Sequence, residues 1–238
     1  MQGRIHPISQ VIHRAVEIFN EMGFTVAEGP ELETDYYNFD ALNIPPDHPA
    51  RDMWDTFWIG SKLLRTQTSP VQIRYMEKHR PPFRIVAPGR VFRREATNAT
   101  HDCQFHQLEG LAVDRAMTLA HMKAFLEAFF QKFFDANISL RLRPSYFPFV
   151  EPGLELDFSC FRCVGNGCAL CKQTGWIEVA GAGMVHPAVL SAGRINSGEW
   201  QGFAFGMGLE RLAMLKWGIN DLRLFPSGDL RFLNQFIV

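Results

Sequence analysis

The sequence lacks the features that would export the chain or hold it in a bilayer. Its apolar runs are broken by charged residues within about ten positions, well short of the roughly 20 that a membrane-spanning helix needs. The first ten residues, MQGRIHPISQ, contain no apolar core of a signal peptide. A charge excess is also absent, because 24 Lys and Arg face 25 Asp and Glu, and this balance excludes a strongly basic nucleic-acid clamp. We therefore expect a soluble, unexported protein of the cytoplasm.

Tyrosine is scarce and phenylalanine abundant, with four and 21 copies among 238 residues. Charged residues make up only 21% of the chain and hydrophobic residues 47%, which excludes disorder for most of its length. Repeats and low-complexity segments are missing too, so nothing marks a linker between domains. The composition predicts a globular protein with aromatic packing in its interior.

The spacing of apolar residues predicts helices and strands in alternation. Helices are predicted over residues 7–22, 70–79, 118–133, 186–193 and 209–218. Strands are predicted over residues 63–68, 84–94, 105–114, 139–146, 154–158, 176–185 and 202–208. Ser69, before Pro70, has the side chain of a helix N-cap. Antiparallel strands with helices between them favour one α+β domain over a doubly wound sheet.

The predicted hairpin between residues 89 and 110 concentrates side chains that suit an anionic ligand. These side chains belong to Arg90, Arg93, Arg94, Glu95, His101, Gln107 and Glu109. Because strand residues alternate between faces, Arg93 and Glu95 share one side, and Gln107 and Glu109 share another. With the ring of Phe105, such groups would neutralise phosphates and stack a base. From this segment alone, a solvated hairpin edge with salt bridges is the favoured interpretation.

The segment GFAFGMGLERLAML joins a glycine-ending strand to a helix. Gly206 and Gly208 would let the backbone approach a ligand closely. Arg211 falls in the first turn of the helix, where the helix dipole disfavours a cation, so an anion is expected to meet it. The alternative is a tight turn with a surface arginine, and a bare G-x-G is weak evidence against that alternative.

Four of the five cysteines form a compact C-x2-C-x4-C-x2-C pattern, and Cys103 stands apart. The four are Cys160, Cys163, Cys168 and Cys171. They lie between two predicted strands, so residues 158–176 are predicted to form an enlarged hairpin tip. In an unexported chain this spacing favours a metal over free thiols or disulfides, and four thiolates leave no open position on it. We expect structural zinc, which is favoured over iron by the abundance of such sites.

The order of GRVFRRE, FHQLEG and GFAFGMGLERLAML resembles the catalytic domain of bacterial phenylalanyl-tRNA synthetase α subunits, which are class II aminoacyl-tRNA synthetases. The resemblance runs from Leu32 or earlier to Phe236 and includes LLRTQTSPVQ, RPSYFPFVEPGLELD and GAGMVHP. GFTVAEGP, with Pro30, looks like motif 1, residues 89–110 like motif 2 and residues 202–216 like motif 3. The resemblance implies an antiparallel sheet flanked by helices in one catalytic domain over 1–238.

The resemblance also implies an ATP site. The residue matching Arg93 contacts the α-phosphate in the family, and Glu95 would lie near the adenine amino group. His101 looks like a phosphate contact and Phe105 like one face of the adenine stack. Arg211 would form the other face or hold the γ-phosphate.

For the amino acid, the resemblance implies an ammonium site and an apolar pocket. The ammonium group would be received by Ser69, Gln107 and Glu109, with Trp54 and Gln67 nearby. The substrate ring would enter a pocket lined by Phe147, Phe149, Val150 and Ala204. On an extended backbone the rings of Phe147 and Phe149 face the same way, although ordinary core aromatics are the better interpretation of such a pair outside this context.

The implied reaction joins phenylalanine to ATP as phenylalanyl-adenylate and then transfers the acyl group to tRNA(Phe). Its first step needs no general base, because the carboxylate is already ionised. Arg93, Arg211 and Mg2+ would neutralise charge, and Glu151 is a candidate magnesium contact that could equally be structural.

The resemblance also implies partners, and this sequence departs from the usual family pattern in two ways. An (αβ)2 assembly with a β subunit is expected, or a homodimer if the chain is isolated. The cysteine hairpin resembles an insertion found in only some members. Family α subunits usually carry a helical arm before the HPI segment, so we expect a truncated or minimal form that lacks this arm.

Two other kinds of function stay open. A catalytically silent relative would keep the pocket as a phenylalanine sensor or assembly subunit, but Arg93, Glu95 and Arg211 argue against it. A zinc-knuckle nucleic-acid binder would explain the cysteines, but the sequence around them has no basic flank.

Overall fold

A seven-stranded sheet organises the fold in the computed structural model, which describes residues 5–53 and 55–236. Its strands are β1 (Thr25–Val26), β5 (Phe83–Phe92), β6 (Gln104–Asp114), β7 (Leu140–Phe147), β8 (Val150–Ser159), β9 (Trp176–Val185) and β10 (Gln201–Gly208). Their order is β1-β5-β6-β10-β9-β8-β7. Only the short β1 runs parallel to its neighbour in this sheet, and the other pairings are antiparallel.

A three-stranded sheet lies beside it, in the order β2-β4-β3. Its strands are β2 (Leu32–Thr34), β3 (Trp58–Ile59) and β4 (Lys62–Leu64). The described helices are α1 (Pro7–Glu21), α2 (Asp35–Asn38), α3 (Ala50–Met53), α4 (Pro70–Met76), α5 (Leu119–Phe134), α6 (Pro187–Ala192), α7 (Leu209–Trp217) and α8 (Leu230–Leu233). Short 3-10 helices follow at Asp40–Leu42 and Leu222–Leu224.

The two faces of the large sheet bury separate cores. Alternate residues of one strand enter each core, so Val86 joins one and Ile85 joins the other. The first core packs against α1, α5 and α7, and there the ring of Phe19 stacks on Phe129 at 4.5 Å and on Phe205 at 5.2 Å. The second core packs against α4 and α6. This second face carries the cavity described below.

The helix ends follow local sequence signals. His6 caps α1 by accepting from the backbone N–H of Ile8, and Gly23 adopts φ +82° just beyond the helix end. Thr118 caps α5 by accepting from the N–H of His121. These contacts satisfy N–H groups that a helix start leaves unpaired.

The predicted α+β class and antiparallel sheet are confirmed, and the segment before α4 needs a correction. The predicted strand over 63–68 is only Lys62–Leu64, and residues 65–69 form a buried irregular segment. Ser69 does not cap α4 with its side chain, because its hydroxyl donates to Glu109. The small second sheet and α8 were not predicted. No helix within residues 5–53 and 55–236 is long and apolar enough to span a bilayer.

Candidate active site

A cavity of about 440 Å³ opens on the second face of the sheet. Its floor comes from β6, β8, β9 and β10, and its walls come from residues 65–69, α4 and the turn between β7 and β8. Its lining includes Gln67, Ser69, Gln72, Arg93, Gln107, Glu109, Phe147, Phe149, Val150, Glu155, Glu178, Ala204 and Arg211. The structure therefore brings together the two sequence motifs that each supplied an arginine, Arg93 and Arg211.

A buried carboxylate marks one end of the cavity. Glu109 is 6% exposed and accepts hydrogen bonds from the Thr68 N–H at 3.1 Å, the Ser69 hydroxyl at 2.5 Å and the Gln72 amide at 3.1 Å. Burial raises the pKa of Glu109, and its hydrogen bonds to Ser69 and Thr68 oppose that rise. Gly206 leaves room beside it, because a Cβ there would lie 3.1 Å from Glu109 Cγ, which is closer than side chains usually pack. A cationic ligand at this end would stabilise the ionised carboxylate.

Gln107 supplies a second acceptor on the same face of β6. Its Oε1 is buried and has no hydrogen-bond partner among the described residues. A buried, unpaired carbonyl is costly, so it is expected to meet a donor on a ligand or a water. The expectation that Gln107 and Glu109 share a face is confirmed, since both line this cavity.

The aromatic wall is a turn rather than an extended strand. β7 ends at Phe147 and β8 begins at Val150, and Pro148 and Phe149 form the turn between them. The rings of Phe147 and Phe149 still face one another, 5.9 Å apart and 20° from parallel. Asn43 fixes the turn by donating to the Pro148 carbonyl at 2.7 Å. Both rings line the cavity, but the expectation that an extended backbone points them the same way was wrong, because the backbone between them turns.

The two arginines stand at the polar side of the cavity without carboxylate partners among the described residues. Arg93 donates from Nε to the Thr66 carbonyl at 3.1 Å, and its guanidinium lies 5.2 Å from the centre of the Phe105 ring. Arg211 lies in the first turn of α7, where the sequence places it. Nearby carboxylates act on their charges, Glu109 on Arg93 and Glu178 on Arg211, but neither arginine forms an ion pair among the described residues, and two such cations suit an anionic ligand.

Glu210 joins the strand of Phe105 to the helix of Arg211. β6 pairs with β10 as far as Gln107 opposite Gly208, and there β10 gives way to α7. Beyond the end of this pairing, the Glu210 carboxylate links the two segments. It accepts hydrogen bonds from the His106 N–H at 3.0 and 2.9 Å and lies 2.7 Å from the His106 ring nitrogen Nδ1. This clamp sets the distance between the two motifs.

Several predicted residues do not line the cavity. Glu95 and His101 lie on the exposed loop between β5 and β6, and the His101 backbone N–H donates to the side-chain Oδ1 of Asn98. Glu151 points away: its side chain is 74% exposed and its carboxylate is 3.4 Å from His186. Trp54 lies outside the described residues. Glu95 and Arg93 therefore do not form one face of a continuing strand.

Other residues at the site were missed by sequence reasoning. Glu155 and Glu178 line the cavity from neighbouring strands, and both accept from Nη2 of Arg143, at 2.9 and 3.0 Å. The alternation of polar and apolar residues in LELDF places Glu155 opposite the buried Leu154 and Leu156, which was a usable signal. No comparable local signal identifies Gln72, which reaches Glu109 from α4.

The four cysteines converge at the tip of the β8–β9 hairpin. Their sulfur atoms all lie within 4.8 Å of one another, with separations of 3.8 Å for Cys160 and Cys168 and 3.7 Å for Cys163 and Cys171. A tetrahedral zinc with Zn–S bonds of about 2.3 Å needs neighbouring sulfurs about 3.8 Å apart. Backbone N–H groups of Gly167, Cys168 and Gly175 also point at these sulfurs. The donor set and its spacing fit such an ion.

Comparison with known proteins places this fold and site in one enzyme class. The family model "tRNA synthetases class II core domain (F)" matches residues 1–236. The crystal structure of pyrrolysyl-tRNA synthetase from Desulfitobacterium hafniense superposes with a TM-score of 0.71 over 96% of this chain and 76% of that one. Its sequence identity is 19%, so this likeness shows the fold alone. The class is therefore that of the class II tRNA synthetase core domains.

Curated relatives narrow the class further. The phenylalanine–tRNA ligase alpha subunit of Bacillus licheniformis is 56% identical over 98% of this chain and 69% of its own length. That of Shouchella clausii is 56% identical over 99% of this chain and 70% of its own length. The chain belongs to the phenylalanine–tRNA ligase alpha subunit family, and the resemblance drawn from its motifs is confirmed.

Proposed function

We propose that this chain activates L-phenylalanine with ATP and transfers the phenylalanyl group to tRNA(Phe). The observation that carries the proposal is one cavity with three chemically distinct sides: the buried acceptors Gln107 and Glu109, the stacked rings of Phe147 and Phe149, and two arginines. An amino acid with an apolar side chain and a triphosphate need those three environments. The names and identity of the relatives support this assignment.

The substrate ammonium group would bind between Glu109, Gln107 and Ser69. An ammonium carries three donors and no acceptor, which matches a carboxylate with an unpaired amide carbonyl beside it. Its positive charge would compensate the burial of Glu109. Gln67 lines the same cavity, and its amide donates to the Asn38 carbonyl at 3.3 Å. We keep Trp54 as a proposed neighbour of this group.

The substrate ring would lie against Phe147, Phe149, Val150 and Ala204. Gly181 leaves room for this wall, because a Cβ there would lie 3.0 Å from the Phe147 ring. Tyrosine would be disfavoured, since an unpaired buried hydroxyl costs roughly 1 to 3 kcal/mol.

The first step is an in-line displacement at the α-phosphorus. The phenylalanine carboxylate oxygen forms the new bond, the bond to the bridging oxygen of pyrophosphate breaks, and no proton is transferred. Arg93 would contact the α-phosphate, Arg211 the γ-phosphate or adenine, and Phe105 the other adenine face. Glu95 and His101 stay proposed nucleotide contacts of the nucleotide-bound state. Alignment and charge neutralisation by these groups would supply the catalysis.

Magnesium would be held by Glu155 and Glu178 rather than by Glu151. Both carboxylates face the cavity beside Arg211, and oxygen donors suit this cation. Bound Mg2+ would neutralise charge on the phosphates.

The test of the proposal is ATP–pyrophosphate exchange by the chain in complex with its β subunit. We expect exchange with phenylalanine and a kcat/KM for tyrosine lower by about tenfold or more. Equal rates with both amino acids would contradict the pocket assignment. Phenylalanine binding without exchange would favour the silent sensor.

We further propose the domain boundaries, the cellular compartment and the subunit assembly of the protein. The catalytic domain would span residues 1–238, with residues 158–176 as a zinc-binding insertion, and four reduced thiols suit a cytoplasmic protein. The relatives are alpha subunits, which supports a β-subunit partner in an (αβ)2 assembly, or a homodimer when the chain is alone.

Ala204→Gly is expected to admit a para-substituted ring. Ala204 lines the cavity, is 8% exposed, and pairs with Gly183 on β9, so no side chain stands opposite its methyl group on that strand. Removing that methyl should raise the kcat/KM ratio of p-chlorophenylalanine to phenylalanine by about tenfold, and lower kcat/KM for phenylalanine by roughly 1 kcal/mol. Equal losses for both substrates would show that the residue is structural.

A further inference from the structure

A second depression of about 380 Å³ adjoins the active-site cavity and reaches the cysteine hairpin. We call it the hairpin groove and define it by Arg141, Arg143, Lys172, Trp176, Glu178 and Arg211. Glu178 and Arg211 line both the cavity and the groove. A chain lying in the groove would therefore lead directly to the site of the reaction.

The side chains that line the groove carry four positive charges and two negative ones, and the exposed carboxylate, Glu178, is paired with Arg143. Asp157 is 2% exposed and is covered by Arg141, at 2.5 Å, and by Arg143, at 2.8 Å. Lys172 is exposed, and among the described residues neither Lys172 nor Arg211 forms an ion pair, although the charge of Glu178 acts on Arg211. Residues 158–177 contain Arg162 and Lys172 but no Asp or Glu. Cations thus line the groove both on the cysteine hairpin, at Lys172, and beside the active-site cavity, at Arg211.

An aromatic platform also lines the groove. The guanidinium of Arg141 sits 4.6 Å from the centre of the Trp176 ring, and Trp176 is partly exposed at the start of β9. Flat aromatic and guanidinium surfaces flanked by cations are what a single-stranded nucleic acid needs, since the bases stack and the phosphates meet positive charge.

We propose that the hairpin groove binds the single-stranded 3′ end of tRNA and guides it to the active-site cavity. This inference rests on the proposed function, whose second step brings the terminal ribose of tRNA to the adenylate. It also gives the cysteine hairpin a role, because Cys171 and Lys172 form one wall of the groove. Arg211 on α7, which only the fold brings to the same groove as Lys172, adds positive charge that the sequence lacks around the cysteines.

The test uses Lys172→Asn in the chain assembled with its β subunit. Lys172 has φ +50°, a conformation that asparagine tolerates, so the change removes the charge without straining the backbone. We expect the KM for tRNA in aminoacylation to rise about three- to tenfold and the slope of log affinity against log salt to fall by about 0.7 to 1. Phenylalanine-dependent pyrophosphate exchange should not change. Lys172→Arg should restore the KM.

Two further variants complete the design. Lys78→Asn removes an exposed lysine after α4, away from the groove, and should leave both assays unchanged. Trp176→Leu keeps apolar bulk but removes the stacking surface, and should raise the KM for tRNA several-fold.

Each outcome decides between distinct claims. If tRNA kinetics and the salt slope are unchanged in Lys172→Asn and Trp176→Leu, the groove assignment is wrong. Continued pyrophosphate exchange in these variants would show that the proposed function still holds. A raised KM for ATP with an unchanged KM for tRNA would overturn it too, because the groove would then hold nucleotide phosphates. Absence of exchange in the unaltered complex would count against the proposed function itself.

Discussion

Arg93→Ala is expected to lower kcat/KM for ATP in phenylalanine-dependent pyrophosphate exchange by about 100-fold, or about 3 kcal/mol. Arg93 is held by the Thr66 carbonyl at 3.1 Å and has no carboxylate partner among the described residues, so its charge is available to the α-phosphate. Arg211→Ala should cause a loss of the same order. Exchange kinetics at saturating phenylalanine measure both effects.

Arg94→Ala is the matched control for these variants. Arg94 is the next residue in the chain, but its side chain is 73% exposed and lies 3.6 Å from Asp55. Its removal should leave exchange within about twofold of the unaltered protein. Full activity of a folded Arg93→Ala or Arg211→Ala protein would refute the assignment of that arginine to the phosphates.

Removal of one thiol from the cysteine cluster is expected to release its metal and unfold the hairpin. Elemental analysis should find about one zinc per chain, and Cys160→Ser should lose it, because Cys160 is 1% exposed and its sulfur contacts that of Cys168. Structural zinc contributes on the order of 10 kcal/mol to small metal-dependent folds, so the expected loss of thermal stability is large. Exchange should fall only indirectly, since none of the four cysteines lines the active-site cavity.

Cys103→Ser tests whether the effect belongs to the cluster. Cys103 lies before β6, outside the cluster of four sulfurs, and its replacement should leave the zinc content unchanged. If the protein contains iron in place of zinc, the identity of the metal was wrong but the assignment of the four cysteines as a metal site stands. A metal-free protein with unchanged thermal stability would contradict the site.

Much of the fold follows from local sequence pattern. The strand predicted over WIEVAGAGMV is β9 (Trp176–Val185), with the same ends, and the helix expected over 7–22 is Pro7–Glu21. Such elements show a clear period or a capping residue. Residues 65–68 were misread as strand and Ser69 as a helix N-cap, because polar side chains of this segment pair with distant groups. Thr66 pairs with the buried Asn38, and Ser69 pairs with Glu109.

The candidate site likewise contains residues that the sequence predicted and residues that only the folded structure reveals. Alternation along β6 was enough to put Gln107 and Glu109 on one face, and family resemblance supplied the aromatic turn. The carboxylates of Glu155 and Glu178 and the groove beside them depend on cross-strand contacts of Arg143. The hydrogen bond from Asn43 to Pro148 likewise joins segments far apart in the chain. Contacts of this kind leave no trace in local periodicity.

Recognition of the substrate ammonium by Glu109 should also depend on pH. Burial raises the pKa of Glu109 above the ordinary value, and a protonated carboxyl must release its proton before it holds an ammonium group. Affinity for phenylalanine should therefore rise with pH up to the pKa of Glu109 in the free protein, and fall again only where the ammonium group of phenylalanine itself loses its proton. Glu109→Gln should bind weakly and without this dependence.

Calorimetric titration with L-phenylalanine and with 3-phenylpropionate, which lacks only the amino group, tests the central claim most directly. The cavity should bind phenylalanine about 100-fold more tightly, because the analogue leaves Glu109 and the Gln107 carbonyl without their donor. Equal affinity for the two compounds would contradict the account, since the buried acceptors would then take no part in recognising the amino acid.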